Sequence, residues 1–107
     1  MSFDCSEHLH YKVLHLTGEV DLSNSSKVRQ CLLDILNKGK SVIVDFSELI
    51  YIDSSGMATL VEGLNIAKKG GLTLTIAGAN GAPMQVLELT RLNQVFTIVD
   101  AVSDIGE

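Results

Sequence analysis

Strand patterns and helix patterns alternate along this chain, and this alternation limits the possible folds more than any other feature. Residues 42–44 form a continuous β-branched run, Val-Ile-Val, which is typical of a strand buried on both faces of a parallel sheet. Residues 57–67 then place apolar side chains at the spacing of an amphipathic helix, and a second strand pattern follows over residues 72–77. Since strands joined through helices run parallel by right-handed crossovers, the pattern predicts an α/β fold.

The rest of the chain repeats this alternation after an opening β-hairpin. In chain order we predict strands over residues 3–8 and 11–17, and then a helix that begins at the Ser-Asn-Ser-Ser cluster of residues 23–26, which are good N-cap residues, and ends near Gly39. A strand over 41–46, a helix from about Gly56 to Lys69 and a strand over 72–77 follow. The last predicted elements are a helix from Pro83 to about Leu92, a strand over 95–99 and a short helix over 101–105. The element order is ββαβαβαβα. We expect one domain over residues 1–107, with a mixed, mostly parallel sheet of about five strands flanked by about four helices.

The composition and charge of the chain argue against several classes of function. The 107 residues are 46% hydrophobic and 20% charged, which predicts a packed core and not a disordered chain. Acidic residues outnumber basic ones by 13 to 8, and the sequence has no run of lysine or arginine that could follow a phosphate backbone. We therefore expect no nucleic-acid partner.

The cysteines and the apolar segments indicate the cellular compartment. Cys5 and Cys31 are too few for a disulfide framework and lack the spacing of a zinc or redox motif. No apolar run approaches the ~20 residues that span a bilayer, and the first residues, with Asp4 and Glu7, lack the basic start of a signal peptide. We expect a soluble protein of the reducing cytoplasm that does not insert directly into a membrane.

The segment Asp53-Ser54-Ser55-Gly56 lies between the central strand and the second predicted helix. A serine at the start of a helix lies beside free backbone amides and the positive end of the helix dipole. One interpretation is structural: Ser54 or Ser55 is the N-cap of the helix, although neither has the glutamate or glutamine three residues later that completes a capping box. The other interpretation is functional, with a serine that accepts a phosphate.

Nearby charge favours the functional interpretation. Asp53 is adjacent to Ser54 in sequence, and in the predicted fold Asp21 ends a neighbouring strand at the same edge of the sheet. A phosphate would add roughly −1.5 to −2 charges to an acidic patch and would repel nearby carboxylates and any acidic partner surface. We expect this modification to change what docks on the patch more than it changes the fold.

Three segments around this edge form a recognisable set. They are Gly18-Glu19-Val20-Asp21, Val44-Asp45-Phe46-Ser47 and Tyr51-Ile52-Asp53-Ser54-Ser55-Gly56. Together they resemble the STAS domain, specifically the bacterial anti-sigma factor antagonists, over essentially the whole chain. Met57 and Ala58 depart from the commonest family pattern, which has leucine and often glycine there, and both residues suit a helix.

The resemblance implies a phosphorylation switch. In that family the serine directly after the aspartate is phosphorylated by the anti-sigma factor, itself an ATP-dependent serine kinase, and a PP2C-type phosphatase that needs manganese or magnesium reverses the reaction. By resemblance, Ser54 is the acceptor, Ser55 is its neighbour and Asp21 is the acidic residue beside it. The unphosphorylated form binds the anti-sigma factor and frees the sigma factor, and phosphorylation abolishes that binding.

We therefore expect a non-enzymatic binding protein without a cofactor or metal of its own, whose partner binds the ATP. The expected docking surface around Ser54 comprises Asp21, Asp53, Ser55, Gly56 and Met57. Met57 lies one residue beyond the loop, and two interpretations of its flexible apolar side chain stay open: a core residue or part of the docking surface.

A different partner is the main alternative within the same family. Cytoplasmic STAS domains of similar size are accessory subunits of lipid-transport ABC complexes. Their corresponding loop commonly has threonine and glycine where this chain has Ser54 and Ser55. This difference favours regulation of a sigma factor.

Enzymes, metal sites and receiver domains fit the sequence less well. Ile52 and Asp53 stand where the esterase elbow Gly-x-Ser-x-Gly requires glycine. His8 and His10 could share a strand face and bind a metal, but no downstream ligand completes a metal site. A receiver domain phosphorylated on Asp53 needs a lysine after its last strand, and residues 99–101 are Val-Asp-Ala.

Overall fold

The computed structural model describes residues 2–106, so Met1 and Glu107 of the predicted domain lie outside the described residues. The elements in chain order are β1 (Ser2–His8), β2 (Tyr11–Val20), α1 (Ser25–Asn37), β3 (Val42–Ile52), α2 (Ser54–Lys69), β4 (Leu74–Ala77), α3 (Gly81–Leu89) and β5 (Thr97–Val99). Single 3₁₀ turns at Leu92–Gln94 and Val102–Asp104 follow α3 and β5. The predicted α/β class and the order of strands and helices through β5 are confirmed.

The five strands lie in one sheet in chain order, β1-β2-β3-β4-β5. β1 and β2 pair antiparallel across a tight turn at Leu9 and His10, and the later neighbours pair parallel. Right-handed crossovers that always advance in one direction place successive helices on the same face of the sheet. The structure has this arrangement, because side chains of α1, α2 and α3 all pack in one core against the same face of the sheet.

The main core lies between the three helices and one face of the sheet. Its fully buried members include Leu14, Leu16, Val44 and Ile76 from the strands and Leu32, Leu60 and Leu87 from α1, α2 and α3. Because side chains alternate along a strand, Val13, Ile43 and Ala77 point to the opposite face. There the C-terminal segment packs against them through Val102 and Ile105.

β3 is longer than the predicted strand, and the extension positions the candidate site. The sequence predicts a strand that ends at Phe46 and a loop over residues 47–56. In the structure β3 continues to Ile52, since its second half pairs with β2 beyond the point where β4 ends. Leu49 and Ile52 bury their side chains in the main core. Asp53 is therefore the single residue between β3 and α2.

The C-terminal part differs from the prediction in its boundaries. α3 ends at Leu89 and not near Leu92, because Arg91 has a left-handed backbone with φ of 60°, which a right-handed helix cannot continue. β5 begins at Thr97 instead of residue 95. The short helix predicted over residues 101–105 is the 3₁₀ turn Val102–Asp104, where the Asp104 carboxylate accepts a hydrogen bond from Ala101 N at 3.0 Å.

Candidate functional site

β2 and β3 end side by side and bring two predicted site residues together. Val20 and Ile52 are paired across the parallel strands, and Asp53 N donates a hydrogen bond to Val20 O at 3.0 Å. Asp21 and Asp53, each one residue further along, therefore occupy neighbouring positions at the carboxyl edge of the sheet. We call residues 21–24 and 51–55 the edge surface.

Asp53 caps α2 with its own side chain. Its Oδ1 accepts hydrogen bonds from Ser55 N at 2.9 Å, from Gly56 N at 3.1 Å and from Ser55 Oγ at 2.6 Å. The interpretation in which Ser54 or Ser55 caps the helix is wrong, because the aspartate already takes the amides of the first turn. Aspartate is among the best N-cap residues, so its position before the helix was the signal that could have identified the cap.

The same contacts keep Asp53 ionised. The hydrogen bond donated by the Ser55 hydroxyl is the main reason that the pKa of Asp53 lies below its ordinary value. Desolvation has a weaker effect in the opposite direction, and the backbone of Gly56, Ser55 and Leu22 lowers the pKa further. The edge surface therefore has a fixed carboxylate at neutral pH, directly beside Ser54.

The two serines differ in availability. Ser54 is the first residue of α2 and is exposed, and within residues 2–106 no side-chain hydrogen bond engages its hydroxyl. Ser55 is half-buried, donates its hydroxyl to Asp53 and accepts a hydrogen bond at its carbonyl from Thr59 Oγ1 at 3.1 Å. Of the two, Ser54 presents the accessible and uncommitted hydroxyl.

The turn after β2 repeats the geometry of the turn after β3. Asp21 Oδ1 accepts from both the amide and the hydroxyl of Ser23, with the amide nitrogen at 2.9 Å, as Asp53 does from Ser55. The backbone of Leu22, between Asp21 and Ser23, is close enough to the Asp53 carboxylate to contribute to its lowered pKa, so the two turns lie side by side.

The side chain of Asn24 stabilises the Asp21 turn through two hydrogen bonds. Its side-chain oxygen accepts from Asp21 N at 2.9 Å, and its side-chain nitrogen donates to Glu19 O at 3.1 Å. Asn24 precedes α1, as the predicted cap cluster required, but its side chain bonds to the end of β2 and not to the helix amides. This role lay outside the sequence prediction, which treated residues 23–26 as caps alone.

Gly56 and Met57 lie behind the edge surface. A Cβ on Gly56 would stand 2.6 Å from Ile52 Cγ1 and 2.9 Å from Val20 Cγ1, so only glycine lets α2 start this close to both strands. Met57 is 4% exposed and packs in the main core. Both residues fall on the face of α2 that covers the sheet, which favours the core interpretation of Met57 and leaves neither residue exposed at the edge surface.

Two exposed apolar side chains flank Asp21 and Asp53. Leu22 is 80% exposed at the tip of the Asp21 turn, and Tyr51 is exposed near the end of β3. The sequence prediction did not include either residue in the expected docking surface, although Tyr51 begins one of the segments that carry the family resemblance. A lone leucine within a polar turn was the available signal, since burial does not explain an apolar residue there.

The histidines lie away from the edge surface. His8 Nε2 donates to Ile105 O at 2.7 Å, and His10 lies in the hairpin turn, so the two do not share a strand as the metal hypothesis required. Among residues 2–106, no three or more His, Cys, Asp or Glu side chains are arranged to hold a metal ion.

His15 connects two polar residues on the sheet face opposite the helices. Its Nδ1 donates to Asp45 Oδ2 at 2.8 Å, and its Nε2 lies 2.7 Å from Ser6 Oγ. The chain of contacts from Ser6 through His15 to Asp45 has the same residue types as the Ser-His-Asp triad of hydrolases. The adjoining cavity, however, is lined by three carboxylates, those of Asp4, Asp45 and Glu48. Because these carboxylates oppose a developing oxyanion, the cluster does not favour acyl transfer.

Comparison with known proteins finds relatives that are similar to this chain over most of its length. The anti-sigma-B factor antagonist of Bacillus subtilis (strain 168) is 21% identical over 85 residues, which cover 79% of this chain and 78% of the relative. A Thermotoga maritima structure described as a candidate anti-sigma factor antagonist is 25% identical, with a TM-score of 0.88 over 95% of this chain and 89% of that one. The Bacillus cell fate determinant SpoIIAA, solved in its phosphorylated form, is 18% identical, with a TM-score of 0.76 over 96% of this chain and 94% of that one.

No helix within residues 2–106 combines the length and the apolarity needed to cross a membrane. The family model for the STAS domain matches residues 2–105. That match spans nearly the whole chain and agrees with the element order and the five-stranded sheet, so the protein belongs to the STAS domain family.

Proposed function

We propose that this protein is an anti-sigma factor antagonist whose binding is switched by phosphorylation of Ser54. In its unphosphorylated form it binds an anti-sigma factor that is also a serine kinase, and the sigma factor is released. That kinase binds the ATP and transfers a phosphoryl group to Ser54, which ends the complex. A PP2C-type serine phosphatase restores the binding form, and the chain itself acts in the cytoplasm as acceptor and binding partner, not as an enzyme.

The different environments of Ser54 and Ser55 are the observation that supports this proposal most. An acceptor hydroxyl must reach the active site of a second protein, which requires exposure and freedom from internal hydrogen bonds. Ser54 meets both requirements, whereas Ser55 is half-buried and donates to Asp53 at 2.6 Å. The aspartate cap therefore leaves Ser54 free at a fixed position on the first turn of α2.

A phosphate on Ser54 changes the charge of the edge surface more than its fold. The Asp53 carboxylate already accepts hydrogen bonds from the amides of Ser55 and Gly56. A phosphate on Ser54 would therefore add no new hydrogen bond to these amides by displacing Asp53, and the start of α2 stays as it is. About 2.5 to 3 negative charges, from the phosphate and Asp53, then stand together beside Asp21. A partner surface complementary to the unphosphorylated edge loses that complementarity.

Exposed apolar groups give the same surface a means of binding. Leu22 and Tyr51 flank the two aspartates and place apolar area next to polar acceptors. Tyrosine is enriched at protein interfaces because its ring packs while its hydroxyl stays hydrogen-bonded. We assign Leu22 and Tyr51 as contacts of the partner kinase, together with Asp21 and Ser54.

The named relatives support this assignment. The Bacillus subtilis relative is named an anti-sigma-B factor antagonist, and SpoIIAA is a protein of this fold for which a phosphorylated form exists. A covalent phosphate is therefore compatible with a sheet and helices arranged as they are in this chain.

The decisive experiment is phosphorylation by the cognate kinase with ATP, followed by peptide mapping of the modified residue. We expect one phosphate on Ser54 in the wild type, none in Ser54→Ala and one in the matched control Ser55→Ala. The Ser54→Ala protein should still bind the kinase. Phosphate that persists in Ser54→Ala, or that disappears in Ser55→Ala alone, contradicts the assignment.

Purification of a tagged copy from its own cells tests the partner class. A co-purifying serine kinase or PP2C-type phosphatase supports regulation of a sigma factor. A co-purifying ABC ATPase would instead assign the chain to a lipid-transport complex and overturn the proposal.

A further inference from the structure

Two cysteines that are distant in sequence meet at the edge of the main core. Cys5 Sγ and Cys31 Sγ lie 3.6 Å apart, although 26 residues separate them. Cys5 is exposed on β1, the edge strand of the sheet, and pairs there with Leu14 of β2. Cys31 lies on α1 and packs against the main core, so the two thiols connect the sheet edge with a helix.

We propose that Cys5 and Cys31 are a reversible oxidation site, which hydroperoxides convert to an intramolecular disulfide joining β1 to α1. This site is independent of Ser54 and of the proposed binding function. The spacing of the two cysteines in sequence matches no redox motif, so the inference depends on their contact in the fold.

The geometry requires little movement. A disulfide places its sulfur atoms about 2.05 Å apart, so the thiols must approach by about 1.5 Å. β1 is paired on one side with β2 and has no strand on its other side, which lets its backbone move towards α1 more easily than an inner strand could. Cys5 lies in the middle of β1, where its backbone is paired with Leu14 of β2.

The environment of the two thiols sets the order of reaction. Burial, and then the hydrogen bond and charge interaction with Cys5, raise the pKa of Cys31 to about 11, so Cys31 stays a thiol at neutral pH. Asp34 adds to this effect and Lys12 opposes it. Because the thiolate is the reactive form and Cys5 is the exposed member, Cys5 is oxidised first.

The chemical steps balance with hydroperoxide as the oxidant. The Cys5 thiol releases its proton, and the resulting thiolate attacks one peroxide oxygen, so that the O–O bond breaks and Cys5 becomes a sulfenic acid. The hydroxide that leaves takes up the proton released by Cys5 and becomes water. Cys31 sulfur then attacks the Cys5 sulfur, the S–O bond breaks, and the leaving hydroxide takes the Cys31 proton as water. In total, two thiols and one hydrogen peroxide give one disulfide and two waters.

The disulfide restrains the part of the fold next to the edge surface. It closes a loop that contains β2 and the Asp21 turn, and it fixes α1 against the strand at the sheet edge. Cross-links that close loops of this length stabilise a fold mainly by restricting the unfolded chain. We therefore expect the oxidised protein to melt at a higher temperature than the reduced one.

Intact-mass measurement after exposure of the reduced, full-length protein to hydrogen peroxide tests the proposal. We expect a monomer lighter by two hydrogen atoms, a Cys5–Cys31 cross-linked peptide, full reversal by dithiothreitol and a raised Tm. The matched variant Cys31→Ser should instead accumulate a sulfenic acid at Cys5 that dimedone traps, and Cys5→Ser should react more slowly than the wild type.

Three results would overturn the proposal. One is a wild-type product with only added oxygen on Cys5, which shows that Cys31 does not reach it. Another is a disulfide between two copies through Cys5 as the main product. The third is wild-type protein whose thiol content does not change in hydroperoxide at concentrations that oxidise free cysteine.

Discussion

Ser55 Oγ donates to Asp53 Oδ1 at 2.6 Å, and this hydrogen bond distinguishes two adjacent serines chemically. It holds Ser55 inside the capping turn and leaves Ser54 at the surface of the same turn. The carboxylate of Asp53 thus acts on both: it fixes the start of α2 and supplies negative charge next to the proposed acceptor.

Removal of the Asp53 carboxylate should weaken the start of α2. We expect Asp53→Ala to lower the free energy of unfolding by about 1 kcal/mol, because the amides of Ser55 and Gly56 lose their acceptor. Asp53→Asn, which retains a cap oxygen, is the matched control and should lose only part of that stability. Equal stability of wild type and Asp53→Ala in urea unfolding would show that the cap contributes nothing.

A negative charge at position 54 should weaken partner binding without changing the fold. We expect Ser54→Asp to reduce the affinity for the kinase about tenfold, which corresponds to about 1.4 kcal/mol, and Ser54→Asn, of the same size without the charge, to reduce it much less. The difference between the two variants should shrink at high salt. Calorimetric titration measures both affinities, and equal effects of the two substitutions would contradict an electrostatic switch.

Gly56 should not tolerate a side chain. Since a Cβ there would meet Ile52 Cγ1 at 2.6 Å and Val20 Cγ1 at 2.9 Å, we expect Gly56→Ala to destabilise the protein by about 1–3 kcal/mol. Gly70→Ala is the matched control, because its Cβ would lie no closer than 3.6 Å to another atom. Chemical denaturation of both variants measures the contrast, and similar stabilities would refute the tight approach of α2 to the strands.

The Asp45–His15 contact predicts a dependence of stability on pH. Burial alone would raise the pKa of Asp45, but hydrogen bonds from the Ser47 amide and from His15 outweigh it and hold this pKa below its ordinary value. The ionised carboxylate therefore stabilises the fold above the pKa of an unfolded aspartate, and this contribution is lost as the pH falls through the folded pKa.

Unfolding measured across the acidic range tests this prediction. The stability difference between wild type and Asp45→Asn should be largest near neutral pH and should decrease as the pH falls through the folded pKa of Asp45. A difference that stays constant across this range, or grows towards acid, would show that the Asp45 carboxylate is not stabilised by folding.

The sequence was sufficient to predict the fold because local signals agreed with the tertiary structure. The β-branched run at residues 42–44 and the helical spacing at 57–67 each adopt the structure that their pattern favours. The second half of β3 was missed, since its burial pattern is irregular and its pairing with β2 depends on a register shift after His15. A shift of this kind is set by tertiary contacts and leaves no periodic signal.

The site was predicted in part. Parallel strands end at one edge of a sheet, so Asp21 and Asp53 could be placed together before the structure was known. Met57 was ambiguous, because a residue near the start of a helix faces the core or solvent according to where the helix begins. The start at Ser54 turns Met57 inward.

The central claim is tested most directly by the affinity of one purified kinase partner for two forms of this protein, unmodified and phosphorylated on Ser54 alone. The account predicts a measurable complex with the unmodified form and a loss of affinity on phosphorylation that exceeds the loss in Ser54→Asp, because phosphate has the larger charge. Equal affinity of the two forms would contradict it.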